Sequence, residues 1–188
     1  LYSLLKDLVP EFKGNFMELI KVLENDFPGL GFYFKELEEY FSSEQAKLHD
    51  FTYCNFDSYP QNMKSPLIIY LIEYFKNLEG KKVFIFDECW HLLSQNAEYI
   101  AECFRTFRKY QASAVAISQN LDDFSETQLG RVIIQNTYLK FLFKQNLKIS
   151  EFIDEQTLSL VNTIQSKKGE YSEFLLLSES FKKPLRYY

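Results

Sequence analysis

Apolar positions fall at two different spacings along the chain. Near the start, Leu4, Leu5 and Leu8, then Phe16, Leu19, Ile20 and Leu23, recur every three or four residues, which predicts amphipathic helices. Pro10 and the Pro28-Gly29 pair break this region into segments, and residues 32–41 read as a further short helix. Beyond residue 48 the pattern changes to short apolar runs alternating with helical stripes. Residues 51–56 are aromatic-rich and alternate loosely, predicting a strand. A helix follows, with Ser65 suited to the N-cap, Pro66 to the first helical position and Gly80 just past the end. Its apolar residues, among them Leu67, Ile68, Leu71, Ile72 and Phe75, cover a face broad enough to pack on a sheet.

The next elements alternate. Residues 82–87 predict a strand, residues 97–110 a helix with the stripe Ala97, Ile100, Phe104 and Phe107, and residues 113–118 a second strand. Strand, helix, strand in this order implies a parallel pair joined by a crossover. Residues 132–134 are too short a run to assign. Residues 138–143 predict a strand, 154–165 a helix and 170–177 another strand. Residues 181–188 return as an edge strand, since Pro184 cannot donate to a ladder. The class is α/β behind a helical amino-terminal segment, with the composition shift near Leu48 dividing residues 1–47 from 48–188.

Composition narrows this picture. Of 188 residues, 46% are hydrophobic and 18% aromatic, which excludes a disordered chain, and the length suffices for one domain with a proper core, or one plus a small appendage. The net charge of −5 argues against a nonspecific nucleic-acid binder. Cys54, Cys89 and Cys103 are odd in number and lack metal-ligand spacing, so reduced thiols are expected. With only His49 and His91, a zinc site is not expected. No apolar run reaches the roughly 18–20 residues that span a bilayer.

The segment KKVFIFDECWHLL, residues 81–93, carries the most chemistry. Four apolar residues, Val83 to Phe86, end in two adjacent carboxylates, Asp87 and Glu88. At the carboxyl end of a parallel strand, such a pair suits phosphoryl transfer: the first acid holds Mg²⁺ and the second orients an attacking water. An ordinary strand with a polar tip has the same pattern. Downstream, residues 104–120 (FRTFRKYQASAVAISQN) place Arg105, Arg108 and Lys109 on a helix end and Ser118-Gln119 at the next strand's carboxyl end. Ligands of parallel sheets bind at that rim, so Gln119 falls beside Asp87 and Glu88. For Arg105 and Lys109 the plainer reading is a solvated basic helix end.

A phosphate-binding loop, Gly, four residues, then Gly-Lys-Ser/Thr, is missing. Of the six glycines only Gly80 precedes a lysine, and Phe75 stands where the earlier glycine belongs. The chain begins at Leu1, so such a loop is expected upstream of it.

FIFDECW followed by RKYQASAVAISQ resembles the assembly ATPases of type IV secretion and conjugation machines, the TraC-like class. Those proteins are similar in having a strand ending in Asp-Glu-Ala-Trp, a helix ending in Arg-Lys and a strand ending in Thr-Gln. Here Cys89 replaces the alanine and Ser118 the threonine, while Trp90, Arg108, Lys109 and Gln119 match. RVIIQNTYLKFLF and EFLLLSES resemble later blocks of the same class, so the resemblance spans about residues 51–180. It implies a RecA-like parallel-sheet ATPase lobe, present here from after its phosphate-loop strand, with residues 1–47 as an all-α insertion. It implies ATP and Mg²⁺ as cofactors, Asp87 as the Mg²⁺ ligand, Glu88 as catalytic base, Gln119 as phosphate sensor and Arg108 as a finger reaching a neighbouring subunit, with Arg131 a second candidate finger. It further implies a hexamer at the cytoplasmic face of the bacterial inner membrane, working with other secretion-system subunits. Two alternatives stay open: a docking or oligomerisation module, and a DNA-translocating coupling ATPase.

Overall fold

The computed structural model describes residues 5, 7–12, 14, 16–27, 49–88, 90–146 and 152–188. The helix expected over residues 32–41, the Pro28-Gly29 break and Cys89 lie outside the described residues. The chain divides into two units: Leu1–Phe84 with Phe107–Ser113, and Ile85–Thr106 with Ala114–Tyr188.

The first unit is built on helices. In α1 (Phe16–Asp26) the expected stripe Phe16, Leu19, Ile20 and Leu23 is buried. Helix α2 (Gln61–Lys76) buries Met63, Leu67, Ile68, Ile69, Tyr70 and Ile72, and Phe16 meets Tyr70 with ring centroids 4.4 Å apart. Burial pushes the Tyr70 hydroxyl up to about 12. The helix starts four residues before Ser65, with Pro60 at the N-cap and Pro66 inside it. Burying Met63 draws the earlier turn into the helix, whereas a capping rule alone places Pro66 at the start. Inside the helix, Pro66 gives up its own N–H bond and its ring crowds the carbonyl four residues back. Within α2, Glu73 and Lys76 form an almost fully buried ion pair of 2.6 Å, and the Lys76 ammonium lies 4.7 Å from the centroid of the Tyr110 ring.

The strand expected over residues 51–56 is absent. Phe51 and Tyr53 are 75% and 76% exposed, and the Asn55 side chain accepts the Asp57 N–H at 2.8 Å. Aromatic alternation favours a strand only where a neighbouring ladder receives it.

Strands β1 (Lys82–Phe86) and β2 (Ala112–Ala116) pair as a two-stranded sheet. At their starts the Lys82 N–H donates to the Gln111 carbonyl at 3.0 Å, and past their ends the Ile117 N–H donates to the Phe86 carbonyl at 2.9 Å. Like ends meet, so the strands run parallel, as the strand–helix–strand order requires. The four-residue apolar run of β1 is buried on one side only. Phe86 is 6% exposed, but Val83 and Ile85 are 64% and 56% exposed.

In the second unit, α3 (Trp90–Thr106) begins well before the expected residue 97. Asn96 leaves helical geometry (φ −127, ψ 26), so an early helical piece joins the expected one across a kink. The expected stripe does face inward: Ile100 is fully buried, and Phe104 lies 6.0 Å from Phe86 between ring centroids. In the first unit the stripe continues at Phe107, which is buried 4.6 Å from Phe84. After β2 come the single turn α4 (Asp122–Ser125) and α5 (Gln128–Asn136), which packs on α3. The unassigned residues 132–134 therefore belong to a helix. It is capped by Thr127, whose hydroxyl accepts the Gly130 N–H at 2.9 Å, and it buries Ile133 and Ile134. A Cβ at Gly130 would come within 2.1 Å of the Phe124 carbonyl oxygen, so α4 and α5 approach too closely for any other residue.

Strands β3 (Lys140–Phe143), β4 (Ser172–Leu177) and β5 (Lys182–Tyr187) form an antiparallel sheet in the order β3-β4-β5. β5 is the edge strand, with Pro184 opposite Leu175. Helix α6 (Glu155–Thr163) starts at Asp154, whose carboxylate accepts the Thr157 N–H at 2.7 Å. Leu142, Leu175 and Leu177 on one sheet face form a core with Ile153, Val161 and Ile164. The other face leaves Phe141, Phe143 and Tyr187 55%, 53% and 73% exposed. Among the described residues, no helix is long and apolar enough to cross a membrane.

Candidate functional site

The carboxylates at the tip of β1 occupy a turn. Asp87 is exposed and Glu88 half-buried. Glu88 has φ +53, the left-handed region that costs a non-glycine residue about 1 kcal/mol or more. A strand would carry the two acids to opposite faces. The turn replaces that alternation and redirects the Glu88 side chain.

β2 ends in the loop that carries Ser118 and Gln119. The Gln119 side-chain amide donates to Glu88 Oε1 at 2.6 Å, a short, charge-assisted bond between residues 31 apart in sequence. The sequence thus anticipates which two residues lie near each other. It does not anticipate the direct bond, which depends on the turn at Glu88.

The loop itself is anchored twice. Ser118 Oγ lies 2.6 Å from Asp123 Oδ2 in α4 and 2.7 Å from the Asn120 carbonyl, and it accepts the Asn120 N–H at 3.0 Å. A hydroxyl has one proton to donate, and the carboxylate is the stronger acceptor. The Leu121 N–H donates to Gln145 Oε1 at 3.2 Å. Gln145 lies two residues past the end of β3. Neither Asp123 nor Gln145 is marked by sequence pattern. The available signal for Gln145 was its place just after a strand, the same signal that marks Gln119.

Mg²⁺ takes oxygen ligands, commonly one or two carboxylates plus phosphate oxygens and water. The exposed Asp87 carboxylate suits that donor set. Among the described residues, no three His, Cys, Asp or Glu side chains form a metal cage.

Arg108 lies exposed on the 3-10 turn Phe107–Tyr110 in the first unit, whereas Glu88 and Gln119 belong to the second. Lys109 shares that turn, and Arg105 closes α3. Arg131, in α5, donates from Nε to the Ser125 carbonyl at 2.9 Å. An open cavity of about 430 Å³ in the first unit is lined by Lys76, Gly80, Lys82, Lys109 and Gln111 among others, and includes none of Asp87, Glu88 and Gln119. Two of its lysines are engaged locally: Lys76 by Glu73, and Lys82 by the Leu78 carbonyl.

A parallel strand–helix–strand unit with acids and amides at its strand tips has the construction of an α/β ligand-binding rim. Residues 66–170 match the TraG P-loop domain, and the chain belongs to that family. The family is one of conjugation-related P-loop ATPases, and a P-loop domain implies nucleotide binding. No curated protein matches the chain.

Proposed function

We propose that this chain is the carboxyl-terminal part of a motor lobe that hydrolyses ATP to drive a type IV secretion or conjugation channel. The observation that carries the reading is the direct bond between Gln119 and Glu88 at the carboxyl ends of adjacent parallel strands. In this reading residues 48–188 belong to a RecA-like lobe of the TraC-like class, residues 1–47 are its all-α insertion, and the phosphate loop lies upstream. Asp87 holds Mg²⁺, and Glu88 accepts the proton of the attacking water. Gln119 reports the γ-phosphate: its amide releases Glu88 and turns to the phosphate oxygen when nucleotide arrives. Mg²⁺ neutralises charge on the phosphates.

Arg108, exposed on its 3-10 turn, acts as a finger on a neighbouring subunit. The oligomer is a hexamer, at the cytoplasmic face of the inner membrane with other secretion-system subunits. The test is Mg²⁺-dependent ATP hydrolysis by the full-length motor, assayed with Asp87→Asn. Turnover that is indifferent to both Mg²⁺ and Asp87 sinks the assignment.

A second reading, a docking module, is favoured by the exposed Phe141, Phe143 and Tyr187 on one face of the antiparallel sheet. Calorimetry of this chain with Mg²⁺-ATP separates the two, since tight binding counts against a purely docking role.

A further inference from the structure

Gln119 is exposed, and its side chain has three rotatable bonds. Left alone, such a side chain spreads over many rotamers, and fixing it costs on the order of 1.5–2 kcal/mol. Its loop has no strand ladder beyond the Ile117–Phe86 bond. Yet the amide is delivered to Glu88 at 2.6 Å. The order must come from whatever holds the loop backbone.

Two side chains from other elements do so. Asp123 takes the Ser118 hydroxyl immediately before Gln119. Gln145 takes the Leu121 N–H two residues after it, at 3.2 Å. The Leu121 carbonyl in turn accepts the Phe124 and Ser125 N–H groups that open α4. Leu121 is therefore the joint between the loop and α4, and Gln145 fixes that joint to the segment after β3.

We propose that Gln145, with Asp123, is a positioning residue for Gln119: by holding the Leu121 amide and the Ser118 hydroxyl, the two side chains set the loop that presents the Gln119 amide to Glu88. This rests on the reading of Gln119 as phosphate sensor only for its effect on turnover. The structural part stands without it.

The experiment has two arms. In this chain, amide hydrogen exchange at Leu121 and the Gln119 side-chain amide resonances are followed by NMR. In the wild type Leu121 is protected. Gln145→Met, close in size but with only a weak thioether acceptor, speeds Leu121 exchange roughly tenfold, the factor set by a hydrogen bond of ordinary net strength. It also collapses the Gln119 amide pair toward free-amide positions. Gln145→Glu, which keeps an acceptor oxygen, restores protection. An unprotected Leu121 in the wild type overturns the proposal without any variant, so a misfolded Gln145→Met does not rescue it.

In the full-length motor, Gln145→Met lowers kcat and leaves KM for ATP unchanged, and Gln145→Glu recovers it. The double variant with Gln119→Ala is no slower than Gln119→Ala alone, because both act through one group. If Gln119→Ala slows turnover while Gln145→Met leaves both kcat and Leu121 exchange unchanged, positioning is overturned and the sensor reading survives. If Gln119→Ala leaves turnover unchanged while Leu121 and Gln119 respond to Gln145→Met, the sensor reading fails and positioning stands.

Discussion

Glu88→Gln separates chemistry from folding at the tip of β1. The substituted amide keeps an oxygen that can accept from Gln119, so the 2.6 Å contact keeps its geometry and loses its charge. A hydrogen bond to a charged group contributes about 1.5–3 kcal/mol and a neutral one about 0.5–1.5. The exposed position of Gln119 reduces the difference further through solvent screening. The left-handed backbone at φ +53 strains glutamine as it strains glutamate. Stability should therefore change by no more than about 1 kcal/mol, or about 2–4 °C in Tm for a chain of this size. A general base contributes about 10²–10⁴-fold to rate, which is about 2.7–5.5 kcal/mol of barrier. The two expected magnitudes do not overlap. Phosphate release by the full-length motor measures one, and urea unfolding of this chain the other. Unchanged turnover removes Glu88 from the base role. A turnover loss accompanied by several kcal/mol of lost stability assigns Glu88 a structural role instead.

Three further outcomes follow from the same structure. Arg108→Ala should lower turnover of the full-length motor by about 10³–10⁵-fold, as loss of an arginine finger does. Mixing it with Glu88→Gln subunits should recover measurable phosphate release, and no recovery on mixing contradicts a finger acting in trans. Leu175→Ala, in a fully buried position of β4, should cost about 3 kcal/mol in chemical denaturation, whereas Phe141→Ser on the exposed face should cost under about 1; equal costs would show that the sheet faces are misassigned. Lys182 and then Thr157, as hydrogen-bond donors, hold the Asp154 carboxyl well below the usual carboxylate range. A depressed folded pKa gives stability that is present above the unfolded value, about 3.9, and is lost as pH falls below it. Asp154→Asn can still cap α6 but cannot titrate, so its unfolding midpoint should vary less with pH below about 4 than the wild type's.

Elements with strong internal periodicity were legible in the sequence. The stripe of α1, the β1–α3–β2 order, the Asp154 start of α6 and the Pro184 edge strand all lie where spacing and local chemistry predict. The errors share a cause: local signals that tertiary contacts overrule. Residues 51–56 have strand propensity without a ladder to join. Pro66 marks a helix start by local preference, but burial of Met63 extends α2 beyond it. Gly130 weakens the helical pattern around residues 132–134, and it is there because Phe124 leaves no room for a side chain. Of the apolar run Val83–Phe86, the structure covers only the Phe84–Phe86 side.

The candidate site is legible to the extent that its residues are strand tips. The nearness of Glu88 and Gln119 can be read because a parallel sheet gathers groups at its carboxyl ends, and the strands could be located. The contact at φ +53 cannot be read, because nothing in a glutamate announces a left-handed turn. Asp123 and Gln145 were missed for a different reason. Each works by accepting a hydrogen bond from another segment's loop, and acceptors of that kind leave no spacing or composition signal. The tip rule still applies to Gln145, which follows β3 as Gln119 follows β2. Its use is indirect: a strand tip can act on a site by holding the backbone of the loop that reaches it. Mutational scans guided only by acids and arginines would pass over Gln145. The Leu121 amide, pinned by Gln145, is where the two kinds of tip residue meet.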